Sequence, residues 1–164
     1  MNYLKITIGI FIALSVSRFV PHPPNFTSLI ALGFYVPAII GIRYIPAVFV
    51  SFALTDLFIG FHQTILFTWG SLIIIGVMSK YFNSSIKNRA YGVFLSTILF
   101  YLLTNLGVWV GGSYGYTLEG LLLCYYLGLP FFGYSLISTF LFSIIIEFIN
   151  KFFHTNYSIR NNLL

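Results

Sequence analysis

The chain has 164 residues, is 59% hydrophobic and 20% aromatic, and carries charge at only 7% of its positions. Soluble domains carry about 25% charged residues, so this composition excludes a surface solvated by water and makes a bilayer the natural solvent. The net charge of +5 is then a matter of how basic residues are shared among loops, not a nucleic-acid footprint.

Apolar runs between polar or Pro/Gly breaks predict six membrane helices, at roughly 3–20, 26–41, 45–61, 64–81, 91–110 and 130–150. They would form one all-α transmembrane domain over 1–152, with 153–164 as a frayed tail. The first run imitates a secretory leader, with Lys5, then ITIGIFIALSV, then Ser15-Val16-Ser17. The rest of the chain is just as apolar, and removing this run would leave an odd number of spans, so it is expected to stay as a helix. It also carries Gly9, Ala13 and Ser17 at four-residue intervals, a small-residue stripe that lets another helix approach closely. Either a helix of the same chain or a separate membrane subunit could use it.

Between the first two helices lies SRFVPHPPNFTSL, which places Arg18, His22 and three prolines in a connector. Pro21, Pro23 and Pro24 stiffen it, so it reads as a rigid gate, with Asn25 or Thr27 able to cap helix two. The second helix holds Pro37 and ends at Gly41, and the third begins at Pro46, so both are short. Asp56 falls about one turn inside the end of helix three. Trp69 lies near the same end of helix four, and Asn105 and Trp109 share a face of helix five. The segment 111–129, GGSYGYTLEGLLLCYYLGL, is too broken for a span and reads as a turn followed by an amphipathic interfacial piece. On helix six, Ser135, Thr139 and Ser143 form a polar stripe suited to packing or to lining a cavity.

Basic residues orient the bundle. With both termini cytoplasmic, every Lys and Arg except Arg18 lies inside. The outer half then collects Arg18, His22, Asp56, His62 and Glu119, while the inner half is expected to be nearly free of ionisable groups. A charge in a span costs about 2.5–3.5 kcal/mol on insertion scales, so these outer groups are candidates for a site. Asp56 either pairs with Arg18 to fix helix one against helix three or faces a water-filled cavity. Trp69 and Trp109 either belong to an aromatic belt or, with Asn105, grip a flat polar ring. Tyr114, Tyr116, Tyr125 and Tyr126 either sit at headgroup level or close over that ring. The candidate binding set is therefore Arg18, His22, Asn25, Asp56, His62, Trp69, Asn105, Trp109, Glu119 and Tyr125.

No Walker A, GxSxG or HExxH motif and no paired acids are present, so no enzyme activity and no cofactor are expected. One cysteine, Cys124, leaves no intrachain disulfide, and His22, His62 and His154 lack metal-site spacing.

The blocks RFVPHPPNFTSLIAL, TDLFIGFH, TNLGVW and TLEGLLLCYYLGLPFF resemble a family of small bacterial six-helix membrane proteins proposed to act in transport. The resemblance runs from Arg18 to Phe132. Arg18, Pro21, His22, Pro24, Asn25, Asp56, Gly60, His62, Asn105, Trp109, Thr117, Gly120, Cys124, Tyr125, Pro130 and Phe131 match its pattern, whereas Thr139 stands where the pattern has an acid. More widely, the chain resembles the substrate-binding S components of energy-coupling factor (ECF) vitamin transporters. That resemblance implies uptake of a vitamin-like solute across the bacterial inner membrane, driven by two ABC-type ATPases and a transmembrane coupling subunit. It also implies that the Gly9-Ala13-Ser17 face docks the coupling subunit. Two other expectations stand beside it: a stand-alone ion-coupled carrier or channel, and a non-transport assembly protein whose polar groups only knit helices together.

Overall fold

A computed structural model describes residues 3–161, with side chains described over 3–152. Six α-helices and short irregular turns make up the described residues, with no strand among them: α1 Tyr3–Phe19, α2 Leu29–Tyr35, α3 Ile45–Ile59, α4 Ile65–Met78, α5 Ile86–Val110 and α6 Leu118–Asn161. Four stretches, Ile42–Ile59, Ile65–Phe82, Ile86–Val110 and Leu118–Phe152, are long and apolar enough to cross a membrane.

The surface of the bundle is apolar and much of its interior is not. Phe58, Leu66, Ile144 and Phe148 are each at least two-thirds exposed, which suits lipid and would be costly in water. Inside, small hydroxyl residues such as Ser51, Ser71, Ser96 and Thr97 are buried. Ser96 and Thr97 donate to the carbonyls of Gly92 and Val93 on their own helix, at 2.8 and 2.9 Å. Each hydroxyl is satisfied without crossing to a neighbour, so helices approach closely on compact side chains.

The centre of the bundle is α2. Every residue from Leu29 to Val36 is buried except Leu32, and α2 packs on α3, α4, α5 and α6. It is shorter than expected because Pro37 removes a helix donor and its ring crowds the preceding turn. The chain widens there into a π-turn, Val36–Ile40, closed by the Gly41 N–H on the Val36 carbonyl at 3.3 Å. Gly41 at φ 121° then reverses the direction, and Pro46 sits in the first turn of α3, where a missing N–H costs nothing. By contrast α1 is peripheral and buries only Ile10 and Leu14. Tyr3 stacks on Tyr44 with ring centroids 4.8 Å apart, which puts the start of α1 beside the α2–α3 turn.

The expected interfacial piece at 111–129 is corrected. Gly112 and Gly115, at φ 83° and 76°, make a tight turn, and the Thr117 hydroxyl accepts the Gly120 N–H at 3.0 Å to start α6. From Leu118 the helix runs unbroken through Pro130 to Asn161, so the sixth element begins well before 130. Apolar surroundings offer the backbone no better partner than the helix itself, which lets it tolerate the proline. The backbone is thus helical to Asn161 within the expected tail, and residues 162–164 lie outside the described residues. Likewise α5 starts earlier than expected, at Ile86, because the Ser85 hydroxyl caps it by accepting from the Asn88 N–H.

The end of the bundle opposite Arg18, expected to be nearly free of ionisable groups, is not. Arg89 of α5 meets Glu147 of α6 in a two-pronged pair, Nε to Oε1 at 2.6 Å and Nη2 to Oε2 at 2.9 Å. Arg89 also donates to the Asn83 carbonyl at 3.1 Å. A lone carboxylate in the run SIIIEFIN is itself the signal for this pair.

Candidate functional site

At the opposite end from Arg89 and Glu147, three connectors, 20–28, 60–64 and 111–117, surround a cavity of about 500 Å³. Its anchor is Arg18, in the last turn of α1. The Arg18 side chain crosses to α3, where Nη2 lies 2.7 Å from Asp56 Oδ1. Nη1 donates to the Thr55 hydroxyl and, at 3.5 Å, to the Phe52 carbonyl. The guanidinium carbon rests 4.5 Å above the centre of the Phe52 ring. From α4, Trp69 Nε1 donates to Asp56 Oδ2 at 2.7 Å, so both carboxylate oxygens are engaged. Asp56 has no exposed surface, while Arg18 keeps 13% and lines the cavity. The carboxylate is thus a buried counterion that aims the arginine.

The connector after α1 folds over the cavity. His22 Nδ1 lies 2.7 Å from the Pro23 carbonyl and Nε2 3.3 Å from the Arg18 carbonyl. Asn25 takes the left-handed conformation, φ 62°, which asparagine tolerates better than most residues. The Ser138 hydroxyl of α6 donates to the Asn25 carbonyl at 3.5 Å. Asn25 does not cap α2: Ser28 is the N-cap residue, without a side-chain bond. Ser28 is held to α1 instead, its hydroxyl 2.7 Å from that of Ser17.

The far wall comes from α5 and α6. Asn105 donates to the Tyr101 carbonyl at 2.8 Å, and its amide lies against Gly128. A Cβ on Gly128 would stand 2.4 Å from Asn105 Oδ1, so only glycine leaves room for the amide there. We expect Gly128→Val to drive Asn105 from its place, at a cost of about 1–3 kcal/mol from overpacking. Denaturant unfolding of purified protein measures this, and an unchanged midpoint would contradict the packing argument.

Five candidate residues face the cavity, namely Arg18, His22, Asn25, His62 and Asn105. The others do not. Asp56 and Trp69 stand behind Arg18. Trp109 Nε1 donates to the Thr117 carbonyl at 3.2 Å and its ring meets Tyr116 edge-on, so it braces the α5–α6 turn and grips no ring with Asn105. Glu119 is exposed on the first turn of α6. The Tyr125 hydroxyl donates to the Leu102 carbonyl at 2.9 Å, tying α6 to α5. Of the tyrosines expected to close over a solute, Tyr114 alone lines the cavity. Thr64, Thr68, Thr104 and Phe131 line it as well and were not foreseen, whereas Ser135, which also lines it, belongs to the polar stripe read on helix six as suited to packing or lining. His62 sits at the rim, with Nδ1 3.0 Å from the Thr64 hydroxyl.

The small-residue stripe on α1 is split. Ser17 bonds inward to Ser28, whereas Gly9 and Ala13 are exposed and no atom of another element would touch a Cβ on Gly9. Among the described residues no group of three or more His, Cys, Asp or Glu could hold a metal ion.

These features define an all-helical protein with four helices apolar enough for a membrane and a polar cavity at one end. The chain belongs to the family described as Family of unknown function (DUF6580), whose model matches residues 2–159. No curated protein and no solved structure matches it.

Proposed function

We propose that the protein is a six-span integral membrane subunit of the bacterial inner membrane that binds a vitamin-like or other small solute for uptake. The observation that carries this reading is the cavity of about 500 Å³ whose wall includes an arginine backed by a fully buried carboxylate. Small-molecule sites typically enclose about 300–1,000 Å³ and combine apolar walls with a few placed polar groups. Here Phe52, Phe100 and Leu127 supply apolar surface, and Arg18, Asn105 and the threonines supply directional bonds. The basic residues support an outward-facing cavity, since Arg43, Lys80, Lys87 and Arg89 lie at or beside the turns of the opposite end. Energy for uptake would come from partner ATPases through a coupling subunit, and the exposed Gly9–Ala13 face is available to such a partner. A carrier working alone on an ion gradient is favoured by one observation, the buried polar face of α6 that leads from the cavity to Glu147.

The test is mass spectrometry of small molecules released from gently purified protein. We expect a retained metabolite in the wild type and its loss in Val108→Phe, which fills the cavity from a lining position. Equal retention in a folded Val108→Phe, or no retained molecule in the wild type, would count against the site. Uptake into liposomes by the isolated chain would favour the lone carrier.

A further inference from the structure

Below the cavity, α6 turns a polar face into the bundle. Ser135 lines the cavity, and Thr139, Ser143 and Glu147 follow at successive four-residue steps. Ser135, Thr139 and Ser143 are 4%, 1% and 4% exposed. The Ser143 hydroxyl donates to the Thr139 carbonyl at 2.6 Å, but the Thr139 hydroxyl is buried with no hydrogen-bond partner. Tyr35 of α2, 2% exposed, has the Ser143 hydroxyl and the Glu147 carboxylate as polar neighbours of its phenol. Glu147 is held in turn by Arg89.

Hydroxyls that serve only as small packing groups bond their own helix, as Ser96 and Thr97 do. Thr139 does not, and a buried polar atom without a partner is the mark of a missing water or ion. Side chains one turn apart sit about 5–6 Å from each other, too far for direct bonds and right for one bridging water.

We propose that this face of α6, completed by water, is a proton path from the cavity to the Glu147–Arg89 pair. A proton enters from water in the cavity at Ser135. It passes by way of Thr139 and Ser143 to the Tyr35 phenol, each oxygen accepting one proton as it gives up another and so ending unchanged. The Glu147 carboxylate takes the proton as its terminal acceptor and releases it to water at that end. The driving force is a transmembrane proton gradient, and no bond to carbon forms or breaks. Among the described residues, the charged and titratable groups around the acceptor are Arg89 from α5 and Tyr35 from α2, with Lys151 one turn further along α6. Arg89 holds the carboxylate in place in both states, and its bond to the Asn83 carbonyl keeps the guanidinium partnered when the acid is protonated.

The full chain is reconstituted in phosphatidylethanolamine–phosphatidylglycerol vesicles holding a pH-sensitive dye, and a potassium diffusion potential is imposed. Wild type is expected to admit protons faster than protein-free vesicles. Thr139→Val keeps the shape and removes donor and acceptor together, so flux should fall at least about tenfold, while Thr139→Ser should stay within about twofold. Tyr35→Phe, which removes one oxygen, should also fall and carries the test should Thr139→Val fail to fold. Wild-type flux no greater than that of empty vesicles, or equal flux in both hydroxyl-less variants, would overturn the path. Retention of the cavity's metabolite is a separate readout: it should survive in Thr139→Val, so failure of the path and failure of the binding site are distinguishable.

Discussion

Arg18→Ala is expected to cost the folded bundle about 3–5 kcal/mol, because it leaves the Asp56 carboxylate buried and unpaired. Asp56 has no exposure and, among the described residues, no second cation paired with it, and Trp69 Nε1 supplies only one neutral bond. Asp56→Asn should cost less, since an amide oxygen can still accept from the indole. The double variant Arg18→Met with Asp56→Leu should regain most of the lost stability, since replacing both partners of a buried pair by apolar groups is often neutral or better. It should nevertheless retain no solute, because among the described lining residues the arginine is the one Lys, Arg, Asp or Glu. Denaturant unfolding in detergent, followed by the fluorescence of Trp69, gives the stabilities. An Arg18→Ala protein as stable as the wild type would show that the pair carries no weight in the fold.

The membrane character of the chain could be read from composition, since nothing with so few charges can coat itself against water. Helix positions followed the apolar runs well where a proline or glycine marked the end, as at Pro46 and Gly60. They failed at α6 for a physical reason. Gly120, Gly128 and Pro130 look like breaks in a one-dimensional reading, yet each is required or tolerated by its neighbours. Gly120 lies against the Tyr114 carbonyl, where a Cβ would stand at 2.2 Å. Gly128 makes room for Asn105, and Pro130 is carried by an environment with no competing hydrogen-bond partner. Close packing in the folded state, rather than flexibility of the chain, chose these residues.

The site was legible in part. Ionisable residues in apolar runs carried real information, and Arg18, His22, His62 and Asn105 do meet around one cavity. A sequence does not say which partner of an ion pair faces the void. Asp56 and Trp69 turned inward because a short carboxylate needs donors on both oxygens, which Arg18 and Trp69 provide. Trp109 and Tyr125 found backbone carbonyls instead of a solute, since the polar tip of an aromatic ring takes whatever partner its packing brings near. Ser135 stood out in the stripe on helix six, but the threonines of the wall gave little warning, since a threonine in an apolar helix usually bonds its own turn.

Glu147→Lys is expected to lower stability by about 2–4 kcal/mol, more than Glu147→Gln, because it sets two cations together among apolar helices. The pair Arg89–Glu147 joins α5 to α6 with both side chains about one-seventh exposed, so water at that end moderates the loss. Exchanging the partners, Arg89→Glu with Glu147→Arg, should restore most of it, as a two-pronged pair has the same geometry read from either helix. The same exchange at Arg18 and Asp56 should fail. There the indole of Trp69 donates to the carboxylate, and after exchange it would face a guanidinium that can only donate. Thermal unfolding of both exchanged variants in one detergent compares the two ends of the bundle directly. Recovery at both ends would mean that Trp69 does not fix the polarity of the buried pair. Recovery at neither would mean that the α5–α6 pair depends on neighbours beyond its own two charges.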